Sequence, residues 1–298
     1  MEKALAIVGA GRVGRSLGRR LRENGWKIHS VVARSETSAR KAVRFIGAGK
    51  ASAAITRQIV SAPAILICVP DDAIQETGEE LARVGGEELR GKTVLHTSGA
   101  CGSDALDVLR ICGAAVGSMH PLQSFSGVEV PPLEGKIFAI EGDEAAVRVA
   151  RQMTRSLGGT PVRIAAAKKP LYHAAGALAA GLVLAMEEAG VQMAMASGMK
   201  RREAVRALLS LTRQVLEHYE KLGPQKAWTG PLSRRDYRVV AAHQEALQEF
   251  RPEFLEAYRA TCQLAARVLE DDPDSMLKHL ETISQTKEYA ERNLRRPA

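Results

Sequence analysis

An apolar run, Ala4-Leu5-Ala6-Ile7-Val8, passes directly into Gly9-Ala10-Gly11-Arg12-Val13-Gly14, and no other stretch limits the folds open to this chain so sharply. The spacing reads as a buried strand, a tight glycine turn and the start of a helix. Each glycine has a separate duty: Gly9 makes the turn, Gly11 lets the backbone approach a pyrophosphate, and Gly14 lets the helix pack on the strand. The first turn of such a helix offers free N–H groups and the positive end of the dipole to phosphate. The stretch therefore predicts a dinucleotide site, with Arg12 and Val13 beside the glycines at the cofactor.

The 298 residues suffice for two domains with a sizeable core. Apolar residues make up 45% and charged residues 26%, a globular balance, while 4% aromatics leave little for stacking on single-stranded nucleic acid. Early glycines and arginines break the N-terminal apolar run, so no signal peptide is expected, nor any stretch long enough to span a bilayer. A cytoplasmic protein with no membrane partner is expected. Cys68, Cys101, Cys112 and Cys262 have neither CxxC spacing nor a disulfide framework, which suits reduced thiols and argues against a metal site. The net charge of +8 is spread along the chain. Clusters such as Arg19-Arg20-Arg22, Lys200-Arg201-Arg202 and Arg295-Arg296 read as solvated helix faces or ends, so anionic small molecules are favoured over nucleic acid.

From the N-terminus, apolar strands alternate with helical segments, the pattern of an α/β, doubly wound, mostly parallel sheet. Strands are expected at Lys3 to Val8, Lys27 to Ala33, Ala64 to Val69, Thr93 to Leu95, Ala114 to Met119, Lys136 to Ile140 and Pro161 to Ile164. The second ends in Arg34-Ser35, where NAD-binding chains usually place an acid; an arginine and a hydroxyl there suit the 2′-phosphate of NADP(H). The third ends in Val69-Pro70, which places those residues at the cofactor. In open α/β sheets ligands sit beyond the carboxyl ends of the strands, so Ser98 and His120 are candidate catalytic residues; turn residues bonding local backbone are the plain alternative.

After Ile164 the alternation stops. Residues 1–164 are read as the Rossmann domain and residues 165–298 as an all-α domain for substrate and dimerisation, with helices near Lys168–Ser197, Arg201–Leu222, Tyr237–Phe250, Pro252–Glu270 and Pro273–Arg292. In the second of these, Val205, Leu208, Thr212, Val215 and Tyr219 form one apolar stripe. At the start of the first, Lys169 and His173 are four residues apart and share a face, a candidate proton-handling pair. Thr229-Gly230-Pro231 with Arg234 and Asp236 forms a loop before a helix, where Arg234 is a candidate carboxylate ligand and Thr229 and Asp236 candidate substrate contacts. Asp236 reads equally well as an N-cap.

Taken together, the glycine turn, Val69-Pro70-Asp71-Asp72, His96-Thr97-Ser98-Gly99, His120-Pro121-Leu122-Gln123-Ser124-Phe125, Lys169 to His173, and Thr229-Gly230-Pro231 with Arg234, Asp236 and His243 resemble the bacterial Rossmann-like proteins fused to domain of unknown function 2520 (DUF2520). That family resembles the wider 6-phosphogluconate dehydrogenase-like superfamily. The resemblance implies an NADP-binding Rossmann domain, a helical domain that forms a homodimer, and an active cleft between domains. Lys169 matches the catalytic lysine of β-hydroxyacid dehydrogenases, but His173 stands where they place asparagine. Arg235 and Gly181 also depart from the family pattern, where glycine and asparagine are expected.

The resulting expectation is an NADP(H)-dependent oxidoreductase moving hydride between nicotinamide and a small anionic carbonyl or imine compound of the 2-oxo acid, ketopantoate-like or β-hydroxy acid class. Ser98 and His120 would orient substrate, and Lys169 or His173 would handle the proton. A non-catalytic NADP sensor is the alternative, and a nucleic-acid-associated regulator a weaker one.

Overall fold

The computed structural model describes residues 2–285. It contains an eight-stranded sheet: β1 Ala4–Val8, β2 Lys27–Val32, β3 Lys50–Ser52, β4 Ala64–Ile67, β5 Thr93–His96, β6 Ala115–Pro121, β7 Ile137–Gly142 and β8 Thr160–Arg163. The order is β3-β2-β1-β4-β5-β6-β7-β8. The first six strands are parallel, β7 is antiparallel to β6, and β8 is parallel to β7. The strands of the centre read as unbroken apolar runs because helices cover both faces.

Those helices are α1 Arg12–Glu23, α2 Glu36–Ile46, α3 Arg57–Val60, α4 Ile74–Gly85, α5 Asp107–Ile111 and α6 Glu144–Ser156. One layer of core gathers Leu5, Ile7, Leu17, Leu21, Trp26, Met119, Phe138 and Met153; the other gathers Ile59, Ile65, Ile67, Leu81, Val94, Leu106 and Val116. The helices that follow are α7 Lys169–Ala177, α8 Val183–Ala196, α9 Arg201–Leu222, α10 Pro224–Ala227, α11 Tyr237–Phe250, α12 Pro252–Leu269 and α13 Pro273–Gln285. A π-helical turn at Leu178–Leu182 holds Gly181.

The chain divides into two compact units, Met1–Leu182 and Val183–Ala298. The division falls beyond Ile164 because α7, although it follows the last strand, is bonded to the sheet through its first residue, Lys169. The second unit has its own core, in which Val240, Ala241, Cys262, Ala266, Met276 and Leu280 meet Trp228 and Tyr258. The helix expected over residues 273–292 is described as far as Gln285, and Arg295-Arg296 lie outside the described residues.

Two expectations are corrected here. The stretch Ala166–Ala196, 31 residues, is long and apolar enough by length and composition to cross a membrane. The apolar stripe of α9 is only half covered among the described residues: Val205, Leu208 and Thr212 are partly buried, Val215 and Tyr219 are exposed, and Ala204 is the buried residue of that helix. Both follow from one cause. Leu178, Leu182, Leu184 and Met186 in the first stretch, and Leu211, Leu216 and Leu222 in α9, are also exposed, so a broad apolar surface faces outward.

Arg235 carries a φ of 56°, the one positive φ on a non-glycine residue among the described residues. The left-handed backbone explains why glycine is the residue expected at this position. Its guanidinium pairs with Glu270 at 3.1 Å on the surface, which contributes little. Arg235→Gly should therefore raise the melting temperature, by about 1–3 °C, in a thermal unfolding scan.

Candidate functional site

At the glycine turn the backbone geometry carries the argument. Gly9 has a φ of 94°, and a Cβ there would lie 2.6 Å from the Cys68 carbonyl. A Cβ on Gly14 would lie 2.2 Å from the Gly9 oxygen, whereas one on Gly11 would meet nothing within 4 Å. Two glycines are thus demanded by close approach, and the third leaves open space in front of the first turn of α1. That turn has no acidic residue and no side-chain cap, so its N–H groups are free for an anion. Arg12 opens the helix, Val13 packs on the core, and burial pushes the Cys68 thiol beneath the turn up to about 12.

At the end of β2, the Ser35 hydroxyl caps α2 by accepting from the Ser38 amide at 3.2 Å and donates to the Ser38 hydroxyl at 3.0 Å. Arg34 beside it is exposed, with no ion-pair partner among the described residues. A helix start with hydroxyls and an uncommitted guanidinium fits a 2′-phosphate. Val69 packs on the core, and Pro70 opens the short turn after β4.

Strands β5, β6 and β7 with α7 build the second half of the site. Lys169 is 0% exposed; its Nζ donates to the Ser98 carbonyl at 2.9 Å and the Ser118 hydroxyl at 2.5 Å, and lies 3.8 Å from Glu141 Oε1. Glu141 accepts from Ser118 at 2.7 Å and from Ser103 at 2.9 Å, so both oxygens are engaged. Burial lowers the Lys169 pKa to about 8, and the Glu141 carboxylate opposes that shift. Lys169 is thus an enclosed, partnered cation.

Ser98 works through its backbone and its turn. Its hydroxyl accepts from the amides of Ala100 at 3.1 Å and Cys101 at 2.9 Å. Its own amide donates to His96 Nδ1 at 3.2 Å, so His96 carries its proton on Nε2 and donates to the Gly102 carbonyl at 3.0 Å. Burial, with Lys169 second, lowers the His96 pKa to about 4.

Three side chains converge beyond these strand ends. His120 Nδ1 shares a 2.9 Å hydrogen bond with the Tyr172 hydroxyl, and the His173 ring packs edge-on to His120 at 5.7 Å. Gly99 makes room for both histidines: a Cβ there would lie 2.5 Å from His173 Cδ2 and 2.8 Å from His120 Nε2. Burial, then His173 and Lys169, lowers the His120 pKa to about 4, and burial raises that of Tyr172.

The remaining candidates lie in the second unit. Asp236 caps α11, accepting from the Val239 amide at 3.3 Å. Thr229 and Arg234 are exposed, and His243 Nδ1 shares a 2.9 Å hydrogen bond with the Tyr258 hydroxyl.

Residues 2–121 match the model of a Rossmann-like domain, and residues 136–265 match that of DUF2520. The chain thus carries a Rossmann-like domain followed by a DUF2520 domain. No curated protein matches this DUF2520 protein. Solved structures do. A Bacteroides fragilis protein provisionally described as an NADP oxidoreductase shares 18% identity at a TM-score of 0.72, covering 88% of this chain and 97% of its own. An imine reductase from a Pseudomonas species shares 19% at 0.66, covering 94% and 100%. A reductive aminase from Aspergillus terreus, in complex with NADPH and ethyl-5-oxohexanoate, shares 18% at 0.67, covering 90% and 94%. At such identities the likeness is one of fold.

Sequence reasoning on this DUF2520 protein missed Ser118, Glu141, Gly99 and Tyr172. An acid at the end of the apolar run Ile137–Ile140 and a tyrosine one turn after Lys169 were the available signals.

The two depressed histidines set an acid limit. Both move from 6.5 to about 4 on folding, so the unfolded chain binds their protons first. Their contribution is present above about pH 6.5 and is lost as pH falls toward 4, by up to about 1.4 kcal/mol per pH unit for each histidine. Urea unfolding at stepped pH should show that slope, and His120→Asn should roughly halve it.

Proposed function

We propose that this protein is an NADP(H)-dependent reductase that passes hydride to a small anionic carbonyl or imine compound. The observation that carries the reading is the pairing, within one sheet, of an anion-ready glycine turn with a polar cluster beyond the next strand ends. Gly9, Gly11, Arg12, Val13 and Gly14 hold the pyrophosphate; Arg34 and Ser35 hold the 2′-phosphate; Val69 and Pro70 flank the nucleotide. The bound nicotinamide supplies the hydride. By the general rule for open α/β sheets the nicotinamide would lie beyond the carboxyl ends of β4 and β5, beside Ser98 and Gly99 after β5 and His120 near the end of β6. Ser98, His120, Lys169 and His173 form the proposed catalytic group, and Arg234, with Thr229 and Asp236, the proposed substrate contacts. The fold neighbours support the reading, because the imine reductase and the reductive aminase carry reductase names and the latter binds NADPH.

The cofactor is tested by thermal or urea unfolding with nucleotide. NADPH at about 100 times its dissociation constant should stabilise the protein by roughly 2.7 kcal/mol, and NADH at the same concentration by much less. Arg34→Asp removes a phosphate partner and adds repulsion, so it should narrow or reverse the preference. Equal stabilisation by both nucleotides in the unaltered protein sinks the NADP assignment.

The assembly is proposed to be a homodimer. Its basis is the outward apolar surface of α8 and α9, with Leu184, Met186, Leu211, Val215, Leu216, Tyr219 and Leu222 all exposed. A second copy of this surface would cover it. Light scattering at micromolar concentration should give twice the chain mass of 32.1 kDa, and a monomer throughout that range rules the dimer out.

A further inference from the structure

We infer that Tyr172 and His120 form a two-member proton relay that ends at His120 Nε2, with Lys169 serving beneath it as a fixed cation and not as the proton donor. The inference rests on the reductase reading and adds the path of the proton. Lys169 has no exposed surface; two of its N–H groups are spent on Ser98 and Ser118, and the third lies on the side of Glu141. A substrate cannot reach it without dismantling those contacts. His120 differs in each respect. Its Nδ1 is bonded to Tyr172, while Nε2 has no hydrogen-bond partner among the described residues and retains solvent access. That nitrogen lies beside Gly99, at the end of β5, where topology directs the nicotinamide.

Charge favours the same assignment. Lys169 and His173 both disfavour a cation at His120, and Tyr172 is held in its phenol form. A neutral imidazole that accepts at Nδ1 carries its proton on Nε2. Hydride from the nicotinamide adds to the carbon of the C=N or C=O bond, and the electron pair of that bond moves onto nitrogen or oxygen. That atom takes the Nε2 proton. Nδ1 takes the Tyr172 hydroxyl proton, and the phenolate recovers one from solvent. One proton and one hydride enter per turnover, and His120 leaves the step neutral. Tyr172 is half-buried on α7, which gives the relay its outer end.

The test uses NADPH and two probes of similar shape. 1-Pyrroline slightly above neutral pH, still below the Lys169 pKa of about 8, is mainly a neutral imine and needs a proton at nitrogen; N-methyl-1-pyrrolinium already carries its charge and needs none. His120→Asn should lower kcat/KM for 1-pyrroline by about 10²–10⁴-fold more than for N-methyl-1-pyrrolinium, and Tyr172→Phe by about 10–100-fold more. Normal 1-pyrroline reduction by Tyr172→Phe overturns the relay and leaves the reductase reading standing. Equal losses on both probes also overturn it, since they assign the pair to structure. If the unaltered protein reduces neither probe although NADPH binds, the relay as a path to an imine nitrogen is overturned, while the reductase reading, which specifies an anionic substrate, stands.

Discussion

The enclosed ammonium of Lys169 is the contact on which the arrangement of the first unit turns. It joins the first residue of α7 to the end of β5 through the Ser98 carbonyl, to β6 through Ser118 and to β7 through Glu141. Desolvating a lone ammonium is costly, and removing one partner of a buried pair leaves an uncompensated charge. The cost is met here by a complete set of acceptors, each supplied by a different element. Those elements are therefore fixed relative to one another by a single side chain. His120 on β6 and Tyr172 on α7 meet at 2.9 Å because the strand and the helix that carry them are already tied together.

The glycine turn obeys the opposite logic. The N–H groups of its helix start are left uncommitted: α1 begins without a capping side chain, and the space before Gly11 is open. One half of the sheet's carboxyl edge is saturated with internal hydrogen bonds, and the other half leaves its donors unspent. A ligand with phosphate groups gains most at the second half, where it replaces water on aligned N–H groups. The polar cluster needs no such ligand to hold its shape.

Much of this was legible in the residues. The strand alternation, the glycine spacing and the helical second half follow from hydrophobic period and turn chemistry, and the helices Arg201–Leu222 and Tyr237–Phe250 match their expected bounds. Short elements escaped. β3 spans three residues with no apolar run, and α2 buries Ala39, Ala42 and Ile46, a stripe too small in volume to stand out. The site was legible in part. Lys169 and His173 do share a helix four residues apart, but the helix begins against the sheet, so Lys169 is engulfed while His173 stays exposed. Ser118 and Glu141 could not be found from spacing, because their partnership is one of strand register. Within the second unit, Asp236 is a cap, which the sequence allowed as readily as a substrate contact.

The reversal of β7 bears on how this chain can change over time. Because β7 runs against β6, Ser118 and Glu141 stand directly opposite each other and project from the same side of the sheet. A backbone latch holds that alignment: a Cβ on Gly142 would lie 2.4 Å from the Gly117 Cα, so the two strands touch where no side chain can intervene. The long segment between them, from Leu122 to Lys136, is outside the alignment. Residues can be gained or lost in that segment across lineages without displacing the counterion of Lys169, whereas one residue gained inside either strand would turn Glu141 to the far side of the sheet. A change of length in the connection thus leaves the electrostatic centre in place, whereas the same change inside either strand would dismantle it.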